Sequence, residues 1–258
     1  MTCLDQGEPL GARSPIWLAA AILIAVSACA ENAIHWSDPR YDGPQQPSFG
    51  IGRIAWLPSD ACEASVRIAR AGATTFATWW ELHSDGSARL IVSRMDSTMR
   101  EPQAVAADTA DHSRRECGRP APAIAVSPSG YVHLAYFAEP VEGSGVFYAH
   151  SMDGGLTFHT PVAIVFGDKP SAVSVAAAGD TVVVAYEDPN SERPSIGLAL
   201  SQTIGHIFSM NSIASPDAAR ATLPVVRIGG RMIRLWWSER SPNPAVSATR
   251  PVYREGRW

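Results

Sequence analysis

Apolar and polar residues alternate through most of this chain, and the alternation recurs. Four segments carry an alternating strand, a glycine turn, and a second strand that ends in aromatic residues and an acid. The first is Ser65–Ala69, Gly72, then Phe76-Ala-Thr-Trp-Trp-Glu81. The second is Ala123–Ser127, Gly130, then Val132–Glu139; the third is Ala172–Ala176, Gly179, then Val182–Asp188. The fourth is Pro224–Ile228, Gly229-Gly230, then Ile233–Glu239. Period-two alternation puts one face of each strand in a core and the other against a neighbour. The aromatic marks Trp79, Tyr136, Tyr186 and Trp236 define a repeat of about fifty residues. A third alternating strand is expected at Arg89–Ser93, Val146–Ser151, Ile196–Ser201 and Ala245–Thr249. A shorter fourth strand is expected in the first three units, as at Pro161–Val165. No amphipathic helix of ten or more residues is visible. Four short strands per repeat of this length predict an all-β fold, a β-propeller of about four four-stranded antiparallel blades. The fourth unit lacks a fourth strand, and Phe49–Leu57 is strand-like with no partner upstream. The N-terminal segment is therefore expected to complete the last blade and close the ring, which removes exposed edges.

The N-terminus breaks the pattern. Ile16–Val26 is an uninterrupted apolar run preceded by Arg13, too short to span a bilayer comfortably and suited to a signal-peptide core. It runs into Val26-Ser27-Ala28-Cys29, which resembles the lipobox of bacterial lipoproteins, where the cysteine is acylated and becomes the new first residue. That resemblance predicts residues 1–28 as signal peptide, Cys29 as lipid site, 29–48 as tether and 49–258 as propeller. Ordinary secretion with cleavage after Ala30 is the alternative. The expected location is the cell envelope, with the periplasm or the exterior as alternatives, and the membrane is reached only through the lipid. Cys62 and Cys117 remain, and two cysteines in an exported domain are expected to pair. A zinc site has only His112 nearby, so no metal and no cofactor is predicted.

Composition narrows the function. With 46% hydrophobic and 18% charged residues the chain is not disordered, and a net charge of −4 argues against nucleic acid as a partner. Twenty glycines and twenty prolines fit many turns.

One motif points to a family. Ser151-Met-Asp153-Gly-Gly155-Leu-Thr157-Phe158 resembles the Asp-box of sialidases and related propellers, placed between a repeat's third and fourth strands. Ser201, Gly205 and Phe208 form a degenerate copy in phase with the repeat, and Ser93-Arg-Met-Asp96 is a weaker trace. The motif's chemistry is structural: side-chain oxygens bind turn amides and glycine takes positive φ. The resemblance implies a sialidase-like β-propeller over about residues 60–258. In sialidases the ligand site lies on the face opposite the Asp-boxes. There Glu81, Glu139, Glu187 with Asp188, and Glu239 recur at the end of the second strand, and Arg119 lies in a loop rich in arginine. Arg67 and Arg227 are expected at matching positions of the first strands, with Ala125 and Ser174 as counterparts. Such acids and arginines suit a polar ligand: carboxylates serve glycoside chemistry and arginine holds an anionic sugar bidentately. Strand-end acids also simply end β pairing and meet neighbouring arginines. Arg53-Ile54 matches the start of the sialidase Arg-Ile-Pro motif, with Ala55 in place of proline, and no tyrosine maps onto the sialidase nucleophile. Sialidases have six blades, for which this chain is too short. The leading expectation is a propeller that binds a glycan or an envelope protein. An exo-sialidase or other glycoside hydrolase, and a non-catalytic docking platform, are the alternatives.

Overall fold

The computed structural model describes residues 33–48, 52–240 and 248–258. The predicted signal peptide, Cys29 and most of the Ala245–Thr249 segment lie outside these residues. From Ile34 on, the described chain forms one compact unit.

The unit is all-β: four four-stranded antiparallel sheets, consistent with four propeller blades. The first contains β2 (Arg67–Ala71), β3 (Thr74–Leu82), β4 (Ala88–Met95) and β5 (Gln103–Asp108) in sequence order, after the two-residue strand β1 (His35–Trp36). The second contains β6 (Ala123–Val126), β7 (Val132–Ala138), β8 (Gly145–Ser151) and β9 (Val162–Phe166). The third contains β10 (Val173–Ala178), β11 (Thr181–Glu187), β12 (Ile196–Ser201) and β13 (Phe208–Ile213). The fourth has β14 (Ala221–Gly229), β15 (Met232–Arg240) and β16 (Thr249–Arg257), and its outer strand is β1, which pairs His35 with Arg257 and Trp36 with Gly256. Only two short 3-10 turns, Glu63–Ser65 and Glu116–Gly118, are helical among the described residues.

The N-terminal segment does complete the last sheet, but with a different stretch than the pattern suggests. His35–Trp36 supplies the strand, whereas the described residues of Phe49–Leu57 form no strand. The third strand of that sheet is β16, which shares only Thr249 with the expected Ala245–Thr249.

The core lies between sheets. Trp80, Leu90 and Val92 of the first sheet pack on Leu134 and Tyr136 of the second. Phe137 and Tyr148 of the second pack on Val182 and Val184 of the third, and Leu198 and Ile196 of the third on Leu235 and Trp237 of the fourth. These faces alternate along each strand, so the middle strands of the first three sheets are buried on both sides, as in β7, β8 and β12. The remaining faces of the first and fourth sheets are covered by the N-terminal segment. Ile54 and Leu57 lie over Trp79 and Ile91. Trp236 Nε1 donates to Pro44 O at 2.8 Å, and Gly43 sits against the Tyr253 ring.

The expected disulfide forms between Cys62 and Cys117 and ties the segment before β2 to the loop before β6.

Candidate functional site

The first strands of all four sheets line one cavity of about 540 Å³. Arg67, Arg70, Ala125, Ser174 and Arg227 all reach it, together with Ser48. Its walls are otherwise apolar or small, including Ile124, Val175 and Ile228, and no carboxylate lines it. Sequence reasoning did not single out Arg70; its place in a first strand, three residues after Arg67, was the available signal.

Pairing register corrects one expectation. Arg67 lies opposite Thr78 and Arg227 opposite Arg234, whereas Trp236 lies opposite Val225. Measured from Trp79 and Trp236, the two arginines are one position apart, and Arg67 corresponds to Ala123, Ser174 and Val226. A shift of one residue changes the strand face. The arginines therefore reach the cavity from opposite faces of their strands instead of forming a repeated pair.

Both are poorly compensated. Arg67 Nη1 donates to Val66 O at 2.8 Å and Ala64 O at 3.2 Å, and Arg227 Nη1 to Val226 O at 3.0 Å. No described carboxylate forms an ion pair with Arg67, Arg70 or Arg227. Burial in the recess pushes the pKa of Arg67 and of Arg227 down. Arg227 as a whole residue is nevertheless exposed to solvent. Cations in such a recess gain from an anion that replaces lost hydration.

The other candidates are engaged locally. Glu81 accepts from Arg89 Nε at 2.6 Å, and Glu239 from Arg250 Nη2 at 3.1 Å. Arg115 clasps both oxygens of Glu139, Nη2 to Oε1 at 3.0 Å, and this bonding holds the Glu139 carboxyl below its ordinary range. Glu187 accepts the Leu223 amide at 2.8 Å, and burial raises its pKa. Asp188 accepts the Asn190 amide at 3.0 Å in a turn. Arg119 departs furthest from a ligand role. It is buried, and its guanidinium donates to Asp111, Gly86 O, Ser113 O and Glu116 O, which uses its hydrogen-bonding capacity on the loops around Cys117. No hydrogen bond or ion pair joins one of the recurring strand-end acids to another among the described residues. The described geometry gathers arginines in the cavity and leaves the acids at separate sheet ends.

The two motif turns lie where a β8–β9 and a β12–β13 connection must. Gly155 N donates to Ser151 Oγ at 2.8 Å, and Asp153 accepts from the Leu156 and Thr157 amides at 3.0 Å and from Thr157 Oγ1 at 2.6 Å. Phe158 packs on the core between the first and second sheets. In the degenerate copy Ser201 Oγ accepts from Gly205 N and Thr203 N, and Phe208 meets the Tyr148 ring edge-on at 5.1 Å. The third trace differs, since Asp96 caps the Thr98 amide and Ser93 Oγ accepts from Trp56 Nε1.

Solved structures share this architecture. An alpha-L-arabinanase of Penicillium chrysogenum in complex with arabinobiose is 14% identical with a TM-score of 0.55, the match covering 76% of this chain and 64% of that one. The GH93 alpha-L-arabinofuranosidase of Fusarium graminearum is 14% identical at a TM-score of 0.53, covering 78% and 65%. A Dyadobacter fermentans protein of unknown function is 11% identical at 0.55, covering 74% and 54%. The likeness is one of fold alone. The chain spans between about half and two thirds of the length of these proteins. No protein-family model and no curated protein matches it.

Proposed function

We propose that this chain is an exported, lipid-anchored, sialidase-like β-propeller that binds an anionic saccharide in the cavity lined by its four first strands. The observation that carries the ligand class is the set of three arginines, Arg67, Arg70 and Arg227, in a cavity with no carboxylate on its walls. Guanidinium matches a carboxylate or sulfate bidentately, and the small residues between the arginines leave room for a ring. The glycoside-hydrolase neighbours favour a glycan over a protein partner. Export is supported by the Ile16–Val26 run, by Cys29 in its lipobox-like setting and by the Cys62–Cys117 disulfide, a bond of oxidising compartments.

Binding without hydrolysis is the preferred form. The common inverting and retaining routes of glycoside hydrolysis need two carboxylates flanking one bond, and the recurring acids are instead held in separate local bonds; the sialidase route needs a tyrosine nucleophile, onto which no tyrosine here maps.

Calorimetric titration with uronate-containing and sulfated oligosaccharides, with neutral arabino-oligosaccharides as the contrast, tests this. Acidic ligands are expected to bind, and Arg67→Ala and Arg227→Ala each to weaken binding about 10-fold, the scale of one hydrogen bond to a charged group. Equal affinity for neutral sugars, or release of reducing ends that survives both substitutions, would overturn the reading. Fatty-acid labelling of the wild type but not of Cys29→Ser is the expected result for the anchor.

A further inference from the structure

Four histidines form a column at the seam between the second and third sheets, and none of them lines the arginine cavity. His133 on β7 and His150 on β8 are paired across the strands, with ring centroids 6.5 Å apart and planes within 16°. His150 stacks on His159 at 4.5 Å, and His206 from the third sheet's β12–β13 turn meets both, at 4.6 Å and 5.5 Å. His133 and His150 are 0% and 2% exposed, and the Nε2 atom of each is buried without a partner. His159 and His206 are exposed. No described set of three ligands is arranged to hold a metal ion, and the near-parallel His150–His159 stack is no metal cage.

The column adjoins a side-chain hydrogen bond, the only one among the described residues between this part of the second sheet and that turn. His133 Nδ1 lies 2.7 Å from Tyr148 Oη, which donates to Ile204 O at 3.0 Å. Ile204 is itself held at φ 59°, its amide bonded to Asp180 O. Both distances are satisfied by a relay from His133 Nδ1–H to Tyr148 Oη–H to Ile204 O. The His133 ring is then neutral, with a bare Nε2.

We propose that the column is a proton-sensitive latch: proton uptake by His133 and His150 releases the Tyr148–Ile204 tie and frees the β12–β13 turn from the second sheet while the other seams hold.

The physical basis is desolvation. A proton on either Nε2 creates a buried N–H with no acceptor, on a cation with cationic neighbours. Burial, with His150 beside His133 and with His159 and His206 beside His150, pushes both pKa values down to about 4. In an opened turn the rings return to about 6.5. The opened state therefore binds more protons than the closed one between about pH 6.5 and 4, so closure is complete above that window and weakens as pH falls through it. The other ionisable groups on the packed elements do not compensate. Asp153 spends its carboxylate on Ser151, Leu156 and Thr157, Asp180 offers Ile204 its backbone carbonyl, and the Tyr148 hydroxyl is pushed upward by burial.

Hydrogen exchange on the intact protein, with protection factors corrected for intrinsic rate, reads the latch directly. From pH 7.5 to 4.5, peptides covering 201–208 are expected to lose protection at least 10-fold while those of β3 and β4 keep theirs. His150→Phe keeps a ring in the stack, leaves only His133 to take up a proton, and is expected to reduce the loss. If that variant does not fold, the exposed double change His159→Gln/His206→Gln serves instead. It removes two cationic neighbours, raises the His150 pKa and is expected to shrink the loss. Protection unchanged by acid, lost equally in all sheets, or lost to the same extent in these variants overturns the latch.

Discussion

At the residue scale the sharpest constraint sits at Gly205. Its φ is 91°, and a methyl group there would lie 2.2 Å from the Tyr148 ring, so an L side chain meets both backbone strain and a ring held by bonds at its hydroxyl. Gly130 takes φ 81° with nothing within 4 Å of the same added atom. Gly130→Ala isolates the backbone cost, about 1 kcal/mol, whereas Gly205→Ala adds overpacking and is expected to cost about 3 kcal/mol. Urea denaturation of the two variants checks the difference, and equal costs would mean that Tyr148 yields freely. The neighbouring motif supplies a contrast in pH behaviour. Hydrogen bonds from Ser151, then Thr157, hold the Asp153 carboxyl far below its ordinary range. A depressed carboxylate stabilises above its unfolded pKa and loses that contribution only as pH falls well below it. Acid sensitivity between pH 6.5 and 4 thus points to the histidines and not to this turn.

At the element scale, His35–Trp36 shows how little strand suffices when its side chains are placed. Only two residues of β1 pair with β16, but Trp36 packs against the core between the third and fourth sheets and its Nε1 donates to Ser212 Oγ at 3.1 Å. Arg254 lies over the same ring at 5.4 Å. Trp36→Ala is expected to destabilise by about 2 kcal/mol, below the range for a fully buried tryptophan because the ring is half-buried. A denaturation midpoint unchanged from wild type would show that β1 contributes no closure of this sheet. The same element marks the limit of what alternation reveals. The first three sheets were legible because their middle strands bury both faces and carry aromatic marks, as at Trp79-Trp80 and Tyr136-Phe137. Two residues cannot display a period, so β1 was hidden inside the expected tether. β16 was hidden because Arg250, Arg254, Glu255 and Arg257 break its apolar rhythm while only Val252, Tyr253 and Gly256 are deeply buried. The arginine cavity was half legible: residue types mark candidates, but which strand face they occupy depends on register, and a bulge between Thr222 and Val225 sets that in β14. The histidine column was not legible at all, since it joins positions from β7, β8 and two turns.

At the scale of the whole described unit, the seams are not equivalent. Three are built by aromatic and aliphatic faces of adjacent sheets, while the outer faces of Trp79 and Trp236 are covered by the chain before β2. The Cys62–Cys117 bond secures the segment that follows this cover, next to the buried Arg119–Asp111 pair at 3.0 Å. Its closed loop has a sequence separation of 55, for which chain entropy gives about 4 kcal/mol. Cys62→Ser/Cys117→Ser is expected to lower stability by about that amount. Because the cross-link acts mainly on the unfolded chain, the double variant should keep its folded-state hydrogen-exchange pattern in β7–β12 while its denaturant slope rises with the larger area exposed on unfolding. A slope equal to wild type, with protection lost around Arg119 in the native state, would instead assign the bond to holding the loops in place. The two outcomes distinguish a bond that limits the unfolded ensemble from one that shapes the loops around Arg119.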